Sequence, residues 1–249
     1  MSANHEACQL PDHPHRRSFL QTSGAISAMA FAGTGMLSTV AYADALTKAQ
    51  RDKLTPDEIL AHMKKGNNRF YTGKPIEHDF LAQQRASAKG QYPAAVLLSC
   101  IDSRAPAETI MDLRIGDIFN CRVAGNVENP DVLGGMEFAC KLEGCKVVLV
   151  MGHTACGAIK GAIDNAQLGN LTGLLAKIKP AVEATTSTGE RTSKNDSFVD
   201  AVARKNVQIT MANIRKDSDV LAKMESDGAI KIAGAMYNVA TGVMDFFAA

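Results

Sequence analysis

The segment Lys146-Val147-Val148-Leu149-Val150-Met151-Gly152 constrains the fold of this chain more than any other. Its apolar residues follow one another without a polar face to turn toward water, so it fits a strand covered on both sides. Ala94-Ala95-Val96-Leu97-Leu98-Ser99-Cys100 has the same character and starts just after Pro93. Asp117 to Val123 predicts another strand running into Gly125-Asn126, and Ala229 to Asn238 a last one. Between them the spacing of apolar residues predicts helices over 81–88, 106–113, 131–142, 154–166, 171–182 and 196–224, with an exposed polar loop from Thr185 to Asn195. Upstream, Thr55-Pro56-Asp57-Glu58 supplies an N-cap, a first-turn proline and two first-turn acids for a helix through Ile59, Leu60, Met63 and Phe70. Doubly buried strands alternating with helices define an α/β fold with a mainly parallel central sheet flanked by helices, because parallel strands need crossover connections.

The N-terminal stretch stands apart from this pattern. Arg16-Arg17-Ser18-Phe19-Leu20 precedes a weakly apolar run from Gly24 to Val40, and Ala41-Tyr42-Ala43 offers small residues at a cleavage point. That arrangement is similar to a twin-arginine export signal. The apolar run is interrupted by Gly, Ser and Thr and is shorter than the roughly 20 apolar residues of a spanning helix, which disfavours a permanent anchor. The expectation is therefore a signal peptide over 1–43, one folded domain over 44–249, a periplasmic location, and no stable membrane association after cleavage.

Lys and Arg number 27 against 26 Asp and Glu, a net charge of +1, so nothing electrostatic favours nucleic acid or an anionic surface as partner. A small molecule is the expected partner. Beyond residue 43 the histidines are His62, His78 and His153, and the cysteines Cys100, Cys121, Cys140, Cys145 and Cys156. An odd number of thiols at these spacings is not a disulfide framework, and metal binding or burial accounts for them better.

Cys100 and His153 both fall at the C-terminal ends of predicted strands, the edge where open α/β sheets bind ligands. His153-Thr154-Ala155-Cys156 brings a nitrogen and a second sulfur onto one tight turn. Two thiolates and an imidazole suit zinc, and three protein ligands leave a fourth position open as catalytic zinc sites do. Taken alone, a His-x-x-Cys is a weak signal, and a buried cysteine is more often a small hydrophobe. Asp102 and Arg104 strengthen the metal reading, since a carboxylate and a guanidinium at a buried strand end need each other or a metal. Cys121, Cys140 and Cys145 have no histidine nearby and read as buried thiols, while His62 and His78 read as solvated residues.

Cys100-Ile101-Asp102-Ser103-Arg104, Arg122-Val123-Ala124-Gly125-Asn126 and Gly152-His153-Thr154-Ala155-Cys156-Gly157 together resemble, in order and spacing, the motifs of the β-class carbonic anhydrases. The resemblance runs from Gly66-Asn67-Asn68-Arg69-Phe70 to the strand at Ala229. It implies one Zn2+ per chain on Cys100, His153 and Cys156, and reversible hydration of carbon dioxide to bicarbonate by zinc-bound hydroxide. It implies that Asp102 and Arg104 form a dyad orienting that nucleophile, with Asp102 itself binding zinc in a closed state. Two thiolates formally cancel the charge of the ion, so water in the fourth position is expected to be less acidic than beside neutral imidazoles.

By the same resemblance Gln91 contacts substrate, Phe119, Ala124 and Phe138 line an apolar pocket, and the protein is a homodimer or larger homo-oligomer with pocket walls shared between copies. Members regulated by bicarbonate usually carry Trp where this chain has Leu97, and many have Tyr where it has Phe138, so an open, unregulated site is expected. Hydrolysis of carbonyl sulfide or carbon disulfide is the nearest rival chemistry. A zinc-stabilised binding protein, with Asp102 permanently on the metal, is the rival of a different class.

Overall fold

The computed structural model describes residues 46–247. The expected signal peptide over 1–43 and its expected cleavage point lie outside the described residues.

A short helix α1 (Lys48–Lys53) and a longer α2 (Pro56–Tyr71) open the described fold, and the side chains of Thr47 and Thr55 close a capping box on each. Helix α3 (Phe80–Ser87) leads to β1 (Ala95–Ser99), the single-turn α4 (Ala107–Ile110) and β2 (Ile118–Arg122). A tight 3-10 turn at Ala124–Asn126 precedes α5 (Pro130–Glu137), which continues into a π turn, Phe138–Leu142. Strand β3 (Val147–His153) is followed by α6 (Gly157–Ile163), α7 (Gly169–Ala176), α8 (Lys179–Ala184), α9 (Asp196–Asp217) and α10 (Asp219–Ser226). Strands β4 (Lys231–Tyr237) and β5 (Met244–Phe247) complete the chain.

The sheet has the order β2-β1-β3-β4-β5, parallel throughout except for β5, which runs antiparallel along β4. Every residue of β1 and β3 is buried, as their unbroken apolar sequences require. Val96, Leu98, Val148 and Val150 face one layer, filled by Leu133 and Met136 of α5, Ile159 of α6 and Phe198, Val202 and Val207 of α9. Ala95, Leu97, Val147, Leu149 and Met151 face the other, filled by Ile59, Leu60 and Met63 of α2 and Ile110 of α4. Residue alternation along each strand therefore feeds two cores at once.

Three expected helices begin or break differently. The segment 154–166 becomes helical only at Gly157, because Ala155 takes a left-handed conformation (φ 54). The segment 171–182 divides between α7 and α8 at Lys177-Ile178, just ahead of Pro180. The segment 196–224 breaks at Ser218, whose extended backbone ends α9 and whose hydroxyl caps the Leu221 N–H of α10. The last strand is β5 rather than β4: the Asn238 side chain accepts from the Ala240 and Thr241 N–H groups and turns the chain back.

Helix α9 crosses the C-terminal half of β3 very closely. A Cβ on Gly152 would stand 2.7 Å from Val207 Cγ2, so glycine is what allows this approach one residue before His153.

Candidate metal centre

Parallel pairing sets Ser99 opposite Met151, so β1 and β3 end at the same edge of the sheet. Cys100 follows β1 directly, and His153 is the last residue of β3. The left-handed turn at Ala155 then brings Cys156 back toward them. The ligand atoms of Cys100, His153 and Cys156 lie within 4.8 Å of one another, and all three residues are buried.

The two sulfurs are 4.0 Å apart. A tetrahedral zinc with Zn–S bonds of about 2.3 Å needs a sulfur separation of roughly 3.8 Å, close to what is already there. His153 Nδ1 lies 2.9 Å from the Thr154 carbonyl, which only accepts, so Nδ1 carries the proton and Nε2 presents its lone pair. Nε2 is buried and has no hydrogen-bond partner. An orphaned imidazole nitrogen facing two thiols is costly in a bare protein interior and is satisfied by a soft divalent cation. The residues therefore fit Zn2+.

Thiol and backbone groups tune the sulfurs. The Cys156 thiol first, and then the Gly125 N–H at 3.4 Å from Cys100 Sγ, favour a Cys100 thiolate against its burial and hold that thiol well down. Cys156, sharing a proton with that thiolate and deeply buried, is pushed up. The pair thus favours one thiolate, with the remaining proton held between the two sulfurs. Gly125 reaches Cys100 because of its left-handed backbone (φ 68), and a Cβ there would stand 2.6 Å from Ile178 Cδ1.

Asp102 lies outside the three-ligand cluster. Its Oδ1 accepts from the Arg104 backbone N–H at 2.9 Å and Nε at 3.0 Å, and its Oδ2 from Arg104 Nη2 at 2.8 Å. These bonds to Arg104 outweigh partial burial and hold the carboxyl at about 2. Oδ2 also stands 3.8 Å from His153 Nε2, at the rim of the cluster. Arg122 clamps the same loop from below, donating through Nε to the Cys100 carbonyl at 3.0 Å and through Nη2 to the Asp102 carbonyl. This loop-shaping role escapes a sequence reading, because nothing local links Arg122 to carbonyls twenty residues earlier.

Ala124 adjoins Gly125 at the site. The other pocket candidates do not reach it within one chain. Gln91 precedes β1 and is exposed, whereas Cys100 follows β1, and a strand of that length at about 3.3 Å per residue separates them by roughly 15 Å. Phe119 lies level with Val96, well back from the strand end, and meets Phe138 edge-on at 6.1 Å between ring centroids. Phe138 is 46% exposed.

Cys140 and Cys145 are buried thiols as expected; burial pushes Cys140 up to about 12 and raises Cys145 as well. The histidines depart from expectation. His78 is engaged, with Nε2 at 2.8 Å from the buried carboxylate of Asp112 and its ring stacked on Phe80. His62 is half-buried beside Met63 and Asp117, and this desolvation lowers its pKa.

The fold and this donor set define an α/β protein with a thiolate–imidazole metal centre at the carboxyl edge of a parallel sheet. The family model described as carbonic anhydrase matches residues 95–244. Carbonic anhydrase 2 of Mycobacterium tuberculosis is 33% identical over 186 residues, covering 72% of this chain and 87% of that protein. The carbonic anhydrase of Mycolicibacterium smegmatis is 32% identical over 182 residues, with 72% and 87% covered. Among solved structures, the β-carbonic anhydrase CafA of Aspergillus fumigatus superposes with a TM-score of 0.58 at 27% identity, over 77% of this chain and 89% of that one. The chain belongs to the β-class carbonic anhydrase family and is an enzyme.

If the three side chains are the ligands, replacing Cys156 with Ser will abolish stoichiometric zinc binding, whereas Cys140→Ser will leave it intact. Metal analysis of the two purified proteins checks this, and retention of full zinc by the Cys156 variant contradicts it.

Proposed function

We propose that this enzyme catalyses the reversible hydration of carbon dioxide to bicarbonate and a proton, with one Zn2+ held by Cys100, His153 and Cys156. A zinc ion there supplies the Lewis acidity that makes water a nucleophile near neutral pH. The observation that carries the reading is the pairing of Asp102 with Arg104. A carboxylate has about four acceptor positions, and Arg104 fills both on Oδ1 and one on Oδ2. The remaining position belongs to Oδ2, the oxygen beside the cluster, where it accepts a hydrogen bond from the attacking water and orients it toward carbon dioxide. Because Arg104 holds Asp102 ionised and engaged, this carboxylate would stay free to orient water and would not itself serve as a ligand, which favours the open form over permanent closure by Asp102.

Gln91, Phe119 and Phe138 enter this reading as walls of a neighbouring copy's site in a homodimer or larger homo-oligomer. Their distance from the cluster of their own chain and the exposed ring of Phe138 support that assignment. Residues 1–43 serve as a twin-arginine signal, so the mature enzyme, 44–249, works in the periplasm. No helix among the described residues is long and apolar enough to cross a membrane.

Stopped-flow measurement of carbon dioxide hydration by the purified, zinc-loaded protein tests the activity, and negligible hydration between about pH 7 and 9 would falsify it. Asp102→Asn should keep its zinc while losing on the order of 100-fold in turnover, because the amide has no charge to pair with Arg104 and only one acceptor oxygen, so it cannot both hold Arg104 as the carboxylate does and accept from the attacking water. Undiminished turnover in that variant removes the dyad from the mechanism. For export, sequencing the N-terminus of the periplasmic protein should begin at Asp44, and replacing Arg16 and Arg17 with Lys should leave full-length precursor inside the cell. Processing of that variant like the unaltered chain rules out the twin-arginine route.

A further inference from the structure

Both turns that shape the metal centre are held from behind by one helix. Ala155, between His153 and Cys156, adopts a left-handed conformation without being glycine, which an L-residue sustains only when its surroundings fix it. The fixing contact is Asp200 of α9, whose Oδ1 accepts the Ala155 N–H at 3.0 Å. On the other side of the same residue, the Ala155 carbonyl is approached by Arg104 Nη2 at 3.5 Å, the nitrogen that also binds Asp102 Oδ2. Six positions further along α9, Asn206 is 1% exposed and donates from Nδ2 to the Gly125 carbonyl at 2.7 Å. Gly125 in turn aims its N–H at Cys100 Sγ. Ala155 and Gly125 are thus each bonded on one peptide plane to α9 and directed on the other toward a metal ligand or its dyad.

We propose that Asp200 and Asn206 are positioning residues of the metal centre, with α9 acting as a rigid clamp on the turn that presents Cys156 and the turn that caps Cys100. Neither side chain touches the ligand atoms, so their effect is transmitted through Ala155 and Gly125. Close seating of α9 on Gly152 gives the clamp its rigidity, since Val207 and the Ala203 carbonyl pack directly against that glycine. The Asp200 carboxylate keeps Ala155 left-handed, and this sets the distance from His153 to Cys156 before a metal arrives. Preorganisation of this kind appears as affinity, because groups supporting metal ligands typically contribute 10–100-fold.

The inference rests on the proposed zinc site, and the test separates the two. Zinc affinity of the full chain is measured by competition with a chromophoric chelator, alongside the visible absorption spectrum of the Co2+-substituted protein. Asp200→Ala and Asn206→Ala should each weaken zinc binding about 10-fold or more and alter the thiolate-to-Co2+ charge-transfer bands. Asp200→Asn retains an acceptor oxygen for Ala155 and should restore both readouts, which a general loss of stability would not do. Should buried Asn206 prove intolerant of alanine, Asp200→Ala decides alone, since Asp200 is only half-buried on a helix that alanine suits. Affinity and spectrum unchanged in Asp200→Ala overturn the clamp. An unaltered chain that binds zinc yet fails to hydrate carbon dioxide sinks the proposed activity and leaves the clamp standing.

Discussion

Parallel pairing of β1 with β3 places Ser99 level with Met151, so two chains of buried apolar residues run out of the core at one height, and the first polar chemistry after each lands in the same place. Cys100 and His153 meet for that reason alone. Every other feature of the centre depends on this edge: the Ala155 turn returns Cys156 to it, the Gly125 turn caps Cys100 from the β2 side, and Asp102 with Arg104 closes the rim. A register slip of one residue would turn the alternating side chains of β1 to opposite cores, and both layers forbid it.

The centre is arranged so that each charge has an owner. Arg104 neutralises Asp102, Arg122 binds the carbonyls beneath it, and the Gly125 N–H stabilises the Cys100 thiolate. What stays unmatched is the His153 Nε2 lone pair together with the second thiol proton. These are the groups a divalent soft cation satisfies, so the protein interior is polarised for a metal, while the nearest carboxylate is engaged by Arg104.

Much of this was legible in the chain. Doubly buried strands announced themselves as unbroken apolar runs, and Cys100, His153 and Cys156 stood at their ends with Asp102 and Arg104 alongside. Local conformation was less legible. Thr154-Ala155-Cys156 reads as the start of a helix, because the bond from Asp200 that holds Ala155 left-handed comes from 45 residues downstream. Strand β5 is four residues on a sheet edge, too short for alternation to stand out. Gln91, Phe119 and Phe138 stand out by resemblance alone, and their distance from the cluster of their own chain follows from strand geometry that sequence does not carry. Asn206 and Asp200 follow no local motif, because their partners are backbone groups on distant turns.

Zinc K-edge X-ray absorption on the purified protein reads the metal's ligands themselves. Two sulfurs at about 2.3 Å and two nitrogen or oxygen atoms at about 2.0–2.1 Å are expected, from Cys100, Cys156, His153 and one oxygen ligand. A shell of four sulfurs, or one without sulfur, would contradict this ligand set.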